Sequence, residues 1–211
     1  MNGLKRFFRL HGNKFFAIFF ASLAFAFFIA YILLMEVSTQ WHFFQTADFL
    51  SWIEVLFTVS CLLVLLVTNI RNSNNAYLGI LWFLLSLALD LAAEFSSSFR
   101  ILILYPDAVM SVETALSWLG GLAAIGAAGI CVVLWIWALR YRIGRTNNYG
   151  LIRILSLCLI PALALFDGLR LAYFVLLGSS PALVLSILFF YLSEIATVVC
   201  ILFTFRRLRR F

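Results

Sequence analysis

Asp90 and Glu94 lie in the stretch "SLALDLAAEFSSSFR" (residues 86–100), four positions apart in a largely apolar run. One helical turn separates them, so both carboxylates share a face. Such a pair can hold a cation, share a proton, or bond to a neighbouring helix and fix its register. Asp167 and Arg170 stand three apart in a second apolar run, and Glu194 sits in a third. Glu54 opens another, in "WIEVLF". Hydroxyls that can serve as partners are at hand in Ser86, Tyr173, Tyr191, Ser193 and Thr197. A charge at the centre of a bilayer costs at least ~2.5–3.5 kcal/mol on insertion scales, so groups of this kind face one another or water. Asp167 and Arg170 share a face and are expected to pair within their own helix. Asp90, Glu94 and Glu194 then look to Arg170 or to the hydroxyls.

The elements that position these residues are membrane helices. The chain has 211 residues, 65% of them hydrophobic and 11% charged, and 23 are Phe. Its mean hydropathy is +1.09. Soluble domains are roughly 45–50% apolar and could not hide so much apolar surface. A spanning helix needs ~20 mostly apolar residues. The sequence predicts an all-α, polytopic bundle of six spans in one integral membrane domain, 1–211, with spans at about 14–35, 49–70, 76–99, 112–139, 151–177 and 182–205. The first is too long for the core of a cleaved signal. The preceding "LKRFFRLHGNK" is either a basic flank or a segment lying along the membrane surface. Pro161 falls inside the fifth span, where a kink is expected.

Orientation follows from the bases. Lys5, Arg6, Arg9 and Lys14 precede the first span, and Arg71 follows the second. Arg140, Arg142, Arg145 and Arg153 flank the fourth connection, and Arg206, Arg207, Arg209 and Arg210 end the chain. Alternate loops carry only Arg100. This positive-inside pattern predicts cytoplasmic termini and three out-and-back hairpins, in a multi-pass protein of the inner (plasma) membrane. The acids crowd the other side. Glu36, Asp48 and Asp107 fall in outer loops, Glu54 and Glu113 near outer helix ends, and Asp90 and Glu94 in the outer half of the third span. Asp167 lies outside the middle of the fifth span, and Glu194 near the midplane. The expectation is an outward-opening polar pocket between spans two, three, five and six, drawing on Glu54, Asp90, Glu94, Asp167, Arg170, Tyr173, Tyr191 and Glu194. Three roles compete for it: register-setting contacts, a site for a small cationic or polar ligand, and a transport path.

Other chemistry lacks its residues. Cys61, Cys131, Cys158 and Cys200 form no CxxC pair and read as small buried residues. His11 and His42 lie outside the spans, so a haem between helices has no His ligand and no metal site is expected. Lys5 and Lys14 sit at the cytoplasmic edge, where neither can bind retinal deep in a bundle. No phosphate-binding glycine loop or nucleophile elbow occurs, and no cofactor or nucleic-acid partner is implied. The fourth span, "WLGGLAAIGAAGICVVLWIWALRYR", repeats small residues at Gly120, Ala124 and Ala128. That stripe suits close helix packing, in the core or at a seam with a second copy or another membrane protein.

Residues 54–142 resemble the membrane-associated sensor regions that precede GGDEF domains in bacterial diguanylate cyclases. The similar features are "WIEVLF" opening span two, "LDLAAEF" near the outer end of span three, and an acid opening the small-residue span four in "VETALSWLGGLAAIGAAG". In such regions the span-three motif often reads as adjacent Asp-Glu after Leu; here Leu91, Ala92 and Ala93 separate Asp90 from Glu94. The sequence given ends at "RRLRRF", where such a cyclase continues into its catalytic domain, so no cyclase activity is implied. The resemblance implies a sensing or partner-docking module of a bacterial inner membrane, standing alone or cut from a longer protein. The leading expectation is therefore a sensory or docking signalling module with an acidic pocket. A small transporter or channel subunit for a cation or proton comes second, and a membrane-embedded enzyme third, since no nucleophile–base set stands out.

Overall fold

The computed structural model describes residues 2–37, 49–71, 73–104, 111–142 and 149–208. Six helices make up its regular structure: α1 (Asn2–Val37), α2 (Phe49–Ile70), α3 (Ala76–Leu104), α4 (Val112–Arg142), α5 (Tyr149–Leu176) and α6 (Pro181–Leu208). No strand occurs among the described residues. The spans expected at 49–70, 112–139, 151–177 and 182–205 lie within three residues of these bounds. α1 and α3 run further, because helix continues into the basic–aromatic "LKRFFRLHGNK" and through "SSSFRILIL". α5 continues through Pro161, which lies on an exposed face of the helix.

Among the described residues, five helices are long and apolar enough to cross a membrane: Gly12–Val37, Ala76–Ser96, Thr114–Arg140, Tyr149–Leu176 and Pro181–Leu208. In α2 the described apolar stretch is Val55–Ile70. The full α2 has 22 residues and extends about 33 Å at 1.5 Å per residue, comparable to a bilayer core. The protein is thus a polytopic helical membrane bundle.

The helices close a ring in chain order, each touching the next, and α1 seals it against α6. That closing contact is the most extensive in the bundle, larger than any between sequence neighbours. Its cause is a run of small residues on one face of α1. Ala17, Ala21 and Ala24 are almost wholly buried, followed by Phe28 one turn on. With only methyl groups between them, the two backbones approach closely. The Ser193 hydroxyl then donates to the Ala24 carbonyl at 2.9 Å, and the Cys200 thiol to the Ala17 carbonyl at 3.3 Å. The ring of Phe203 stacks on Phe16 and Phe20 beside this seam. α4 supplies a second small-residue face. Ala124, Ala127, Ala128, Cys131 and Ala138 are buried in the central cluster with Leu84 of α3 and Leu159 and Leu163 of α5.

The end of the bundle that carries Arg71, Arg206 and Arg207 is held by polar contacts. The Arg207 guanidinium donates to the carbonyls of Thr68 and Asn69, both at 3.3 Å, and of Ser73 at 2.9 Å. Thr68 and Asn69 belong to the last turn of α2, where a cation suits the helix dipole, and Ser73 lies in the turn that follows. Asn69 donates to Thr204 at 3.0 Å, tying α2 to α6 beside this cap. At the opposite end, α5 stops at Gly178, whose φ of 68° a side chain would strain. Gly178 N–H bonds to Val175 O and Ser179 N–H to Phe174 O, closing a Schellman turn. The Ser180 hydroxyl accepts from Leu183 N–H at 3.3 Å, and Pro181 takes the first helical position of α6. This tight turn brings the end of α5 and the start of α6 together around a cleft.

Candidate functional site

The cleft lies among α1, α3, α5 and α6, away from the end that bears Arg71, Arg206 and Arg207, and encloses about 420 Å³. α3 contributes Asp90 and Glu94, α5 contributes Arg170, and α6 contributes Tyr191 and Glu194. Phe166 and Phe174 of α5, Leu183, Ile187 and Phe190 of α6, and Tyr31 and Met35 of α1 form its walls. A smaller crevice of about 20 Å³ shares Asp90, Phe190 and Glu194 with it and reaches Thr58 and Cys61 of α2, Ser86 of α3 and Ser193 of α6. That volume matches a single water.

The central interaction is an ion pair between helices. Arg170 Nη1 lies 2.6 Å from Glu94 Oε1, with each side chain about one-third exposed (33% and 34%). Phe166 and Phe174 precede and follow Arg170 by one turn, and its guanidinium carbon lies 5.9 Å from each ring centroid. The cation is therefore held by a carboxylate and flanked by two aromatic faces.

Here the structure departs from the pairing expected within α5. Arg170 is bonded to Glu94 and not to Asp167, although the two are three residues apart. The reason is direction. Asp167 faces the interior with 4% exposure, whereas Arg170 follows the cleft surface toward α3. Neither Asp167 carboxylate oxygen has a hydrogen-bond partner among the described residues. The Tyr191 hydroxyl is in the same position, buried and without a partner among the described residues, although Tyr191 lines the cleft.

Of the residues expected to form the pocket, Asp90, Glu94, Arg170, Tyr191 and Glu194 meet at the cleft. Asp167 is buried behind its wall, and Tyr173 stacks edge-on against Phe174 without lining it. Glu54 belongs to the α2 backbone, and its side chain lies outside the described residues. The helices expected around the pocket need one change. α1 supplies Tyr31 and Met35 to the main cavity, and α2 reaches only the crevice. α1 was absent from the expectation because no charged residue falls among its apolar positions 15–35; Tyr31 is its one polar aromatic. Ala124 and Ala128 pack in the central cluster, while a Cβ built on the buried Gly120 meets nothing within 4 Å. Gly126 and Gly129 lie on the exposed face of α4.

Among the described residues, no three His, Cys, Asp or Glu side chains group as metal ligands. The acids of the cleft are separate acceptors, spread over α3 and α6. The arrangement can bind charge and hydrogen-bonding groups against an apolar wall. No family model, curated protein or solved structure matches the chain.

Proposed function

We propose that the protein is a sensory or partner-docking signalling module of a bacterial inner membrane, which binds a small polar or cationic ligand in the cleft. The alternation of Lys and Arg along the chain supports cytoplasmic termini, so the cleft opens toward the outer side of the membrane. One observation carries the reading: a cavity of about 420 Å³ with three carboxylates, one guanidinium and aromatic walls, a composition suited to holding a small molecule. Toward the cytoplasmic side the bundle is filled by fully buried Leu84, Leu134, Leu159, Leu163, Val198 and Ile201. A ligand entering the cleft meets this packed floor, which favours recognition and relay over a continuous pore. The four helices around the cleft include α1 and α6, whose basic ends face the cytoplasm, and these are the natural route by which occupancy reaches a partner. The resemblance of residues 54–142 to sensor regions points the same way.

A small cation or proton transporter is the second reading. The crevice that continues from Asp90 and Glu194 past Thr58, Ser86 and Ser193 favours it, because it extends polar contacts deeper into the bundle. The two separate in one pair of measurements on purified protein. Saturable ligand binding without ion flux in proteoliposomes supports the sensory module. Flux of protons or monovalent cations that Asp90→Asn and Glu194→Gln abolish would replace it with the transporter.

A further inference from the structure

We infer that the cleft is built for a small organic cation, an ammonium or guanidinium on an apolar body, and that Arg170 is its tethered stand-in, which passes to Asp167 when the ligand takes Glu94. This deepens the ligand-binding reading above and rests on it.

Arg170 already displays how a cation sits here. It bonds Glu94 at 2.6 Å and has a phenyl ring 5.9 Å away on either side. A ligand cation in the same place gains the same carboxylate and the same rings. The charges favour a cation over an anion, since Asp90, Glu94 and Glu194 line the cleft with Arg170 as the one base among its lining residues. The form of the acceptors favours a molecule over a bare metal ion. They do not group as a three-ligand cluster, and Leu183, Ile187 and Phe190 give an apolar wall beside them.

Two groups are waiting for partners. The hydroxyl of Tyr191, a cleft residue with 2% exposure, has no hydrogen-bond partner among the described residues. Both oxygens of Asp167, with 4% exposure, are likewise without one. Asp167 precedes Arg170 by three residues on one helix, a spacing at which the two side chains can meet. Arg170 therefore has two carboxylates within reach and occupies only the outer one. Its pair with Glu94 is one-third exposed, so a competing cation can approach it from the cleft. When the ligand displaces Arg170, the guanidinium turns inward to Asp167, and a buried unpaired carboxylate acquires its counter-ion. The change at Asp167 moves the signal from the cleft into the packed interior of α5.

The test measures binding of phenethylammonium and butylguanidinium by titration calorimetry on purified full chain in detergent. Wild type, Arg170→Gln, Asp167→Asn and the double variant are compared at fixed ionic strength. Arg170→Gln removes the competitor and should tighten binding about tenfold, while Asp167→Asn removes the destination of Arg170 and should weaken it about tenfold. In the Arg170→Gln background, Asp167→Asn should change nothing. If Arg170→Gln fails to fold, Arg170→Met takes its place in the same cycle, since it too removes the competing guanidinium. Binding with independent, additive effects overturns the transfer of Arg170 and leaves the ligand-binding reading standing. Binding of benzoate in place of both cations overturns the ligand class. Absence of binding of both cations and benzoate to all the variants overturns the ligand-binding reading itself.

Discussion

Asp167→Asn is expected to make the bundle more stable, the reverse of what a polar-contact deletion normally does. Asp167 has 4% exposure, and neither carboxylate oxygen finds a hydrogen-bond donor among the described residues. A buried carboxyl without a bonded partner costs several kcal/mol whether it keeps its charge or takes up a proton, whereas a buried amide in the same place costs about 1–3 kcal/mol. Arg170 three residues on offsets part of the charge penalty, which places the net gain for the amide near ~1.5 kcal/mol. For a chain of this size, 1 kcal/mol shifts Tm by about 2–4 °C, so the expected rise is about 3–6 °C. Glu94→Gln should move the other way. It removes the carboxylate 2.6 Å from Arg170 in a pair one-third exposed. Exposed pairs are worth about 0–1 kcal/mol and broken buried ones cost about 3–5, so a loss of about 1–2 kcal/mol is expected. The protein carries its own reporter. Cys61, Cys131 and Cys200 are buried, and a thiol-reactive fluorogenic dye will label them only as the bundle opens. Cys158 is exposed and should first be replaced by Ser to remove the baseline. A fall in the midpoint of Asp167→Asn by 3 °C or more would refute the reasoning, because it would mean that the carboxylate has a stabilising partner.

The other expectations follow from packing and charge. Ala124→Leu should cost about 1–3 kcal/mol by overpacking a wholly buried site, whereas Gly120→Ala, whose Cβ meets nothing within 4 Å, should raise stability by about 0.5–1 kcal/mol. Arg207→Met should lower stability by about 2–4 kcal/mol and expose the α2–α3 turn near Ser73 to protease, through loss of three bonds to carbonyls; an unchanged melt and digestion pattern would refute the cap. Single cysteines placed at 143–148 should react with an impermeant maleimide only after the membrane is opened, and those at 38–48 or 179–180 from outside intact cells; the opposite pattern would invert the topology.

The helices themselves were legible because lipid allows few alternatives. A backbone in hydrocarbon must satisfy its own hydrogen bonds, so a long apolar run is a helix and its ends fall where charge or a turn residue appears. The α5–α6 connection, expected between the spans ending at 177 and starting at 182, is closed by Gly178, Ser180 and Pro181. The closing contact between α1 and α6 was not legible. Ala17, Ala21 and Ala24 have a helical spacing, but small residues mark a close approach without naming the helix that approaches. The expected stripe on α4 carried the same ambiguity, and only Ala124 and Ala128 of its three residues join the central cluster.

The membership of the cleft followed from a different kind of signal. Acids are costly in apolar helices, so Asp90, Glu94 and Glu194 had to gather near polar neighbours, and burial cost alone brings them to one cavity. Cost does not choose partners. By spacing, Arg170 belonged to Asp167; across space it belongs to Glu94, and the sequence separation of the two choices is three residues against seventy-six. What decides is the way each side chain leaves α5: Asp167 is buried at 4% exposure, while Arg170 lines the cleft and meets Glu94 of α3 there. That leaves one carboxylate without a hydrogen-bond partner among the described residues, and a side chain able to reach it stands three positions away on the same helix.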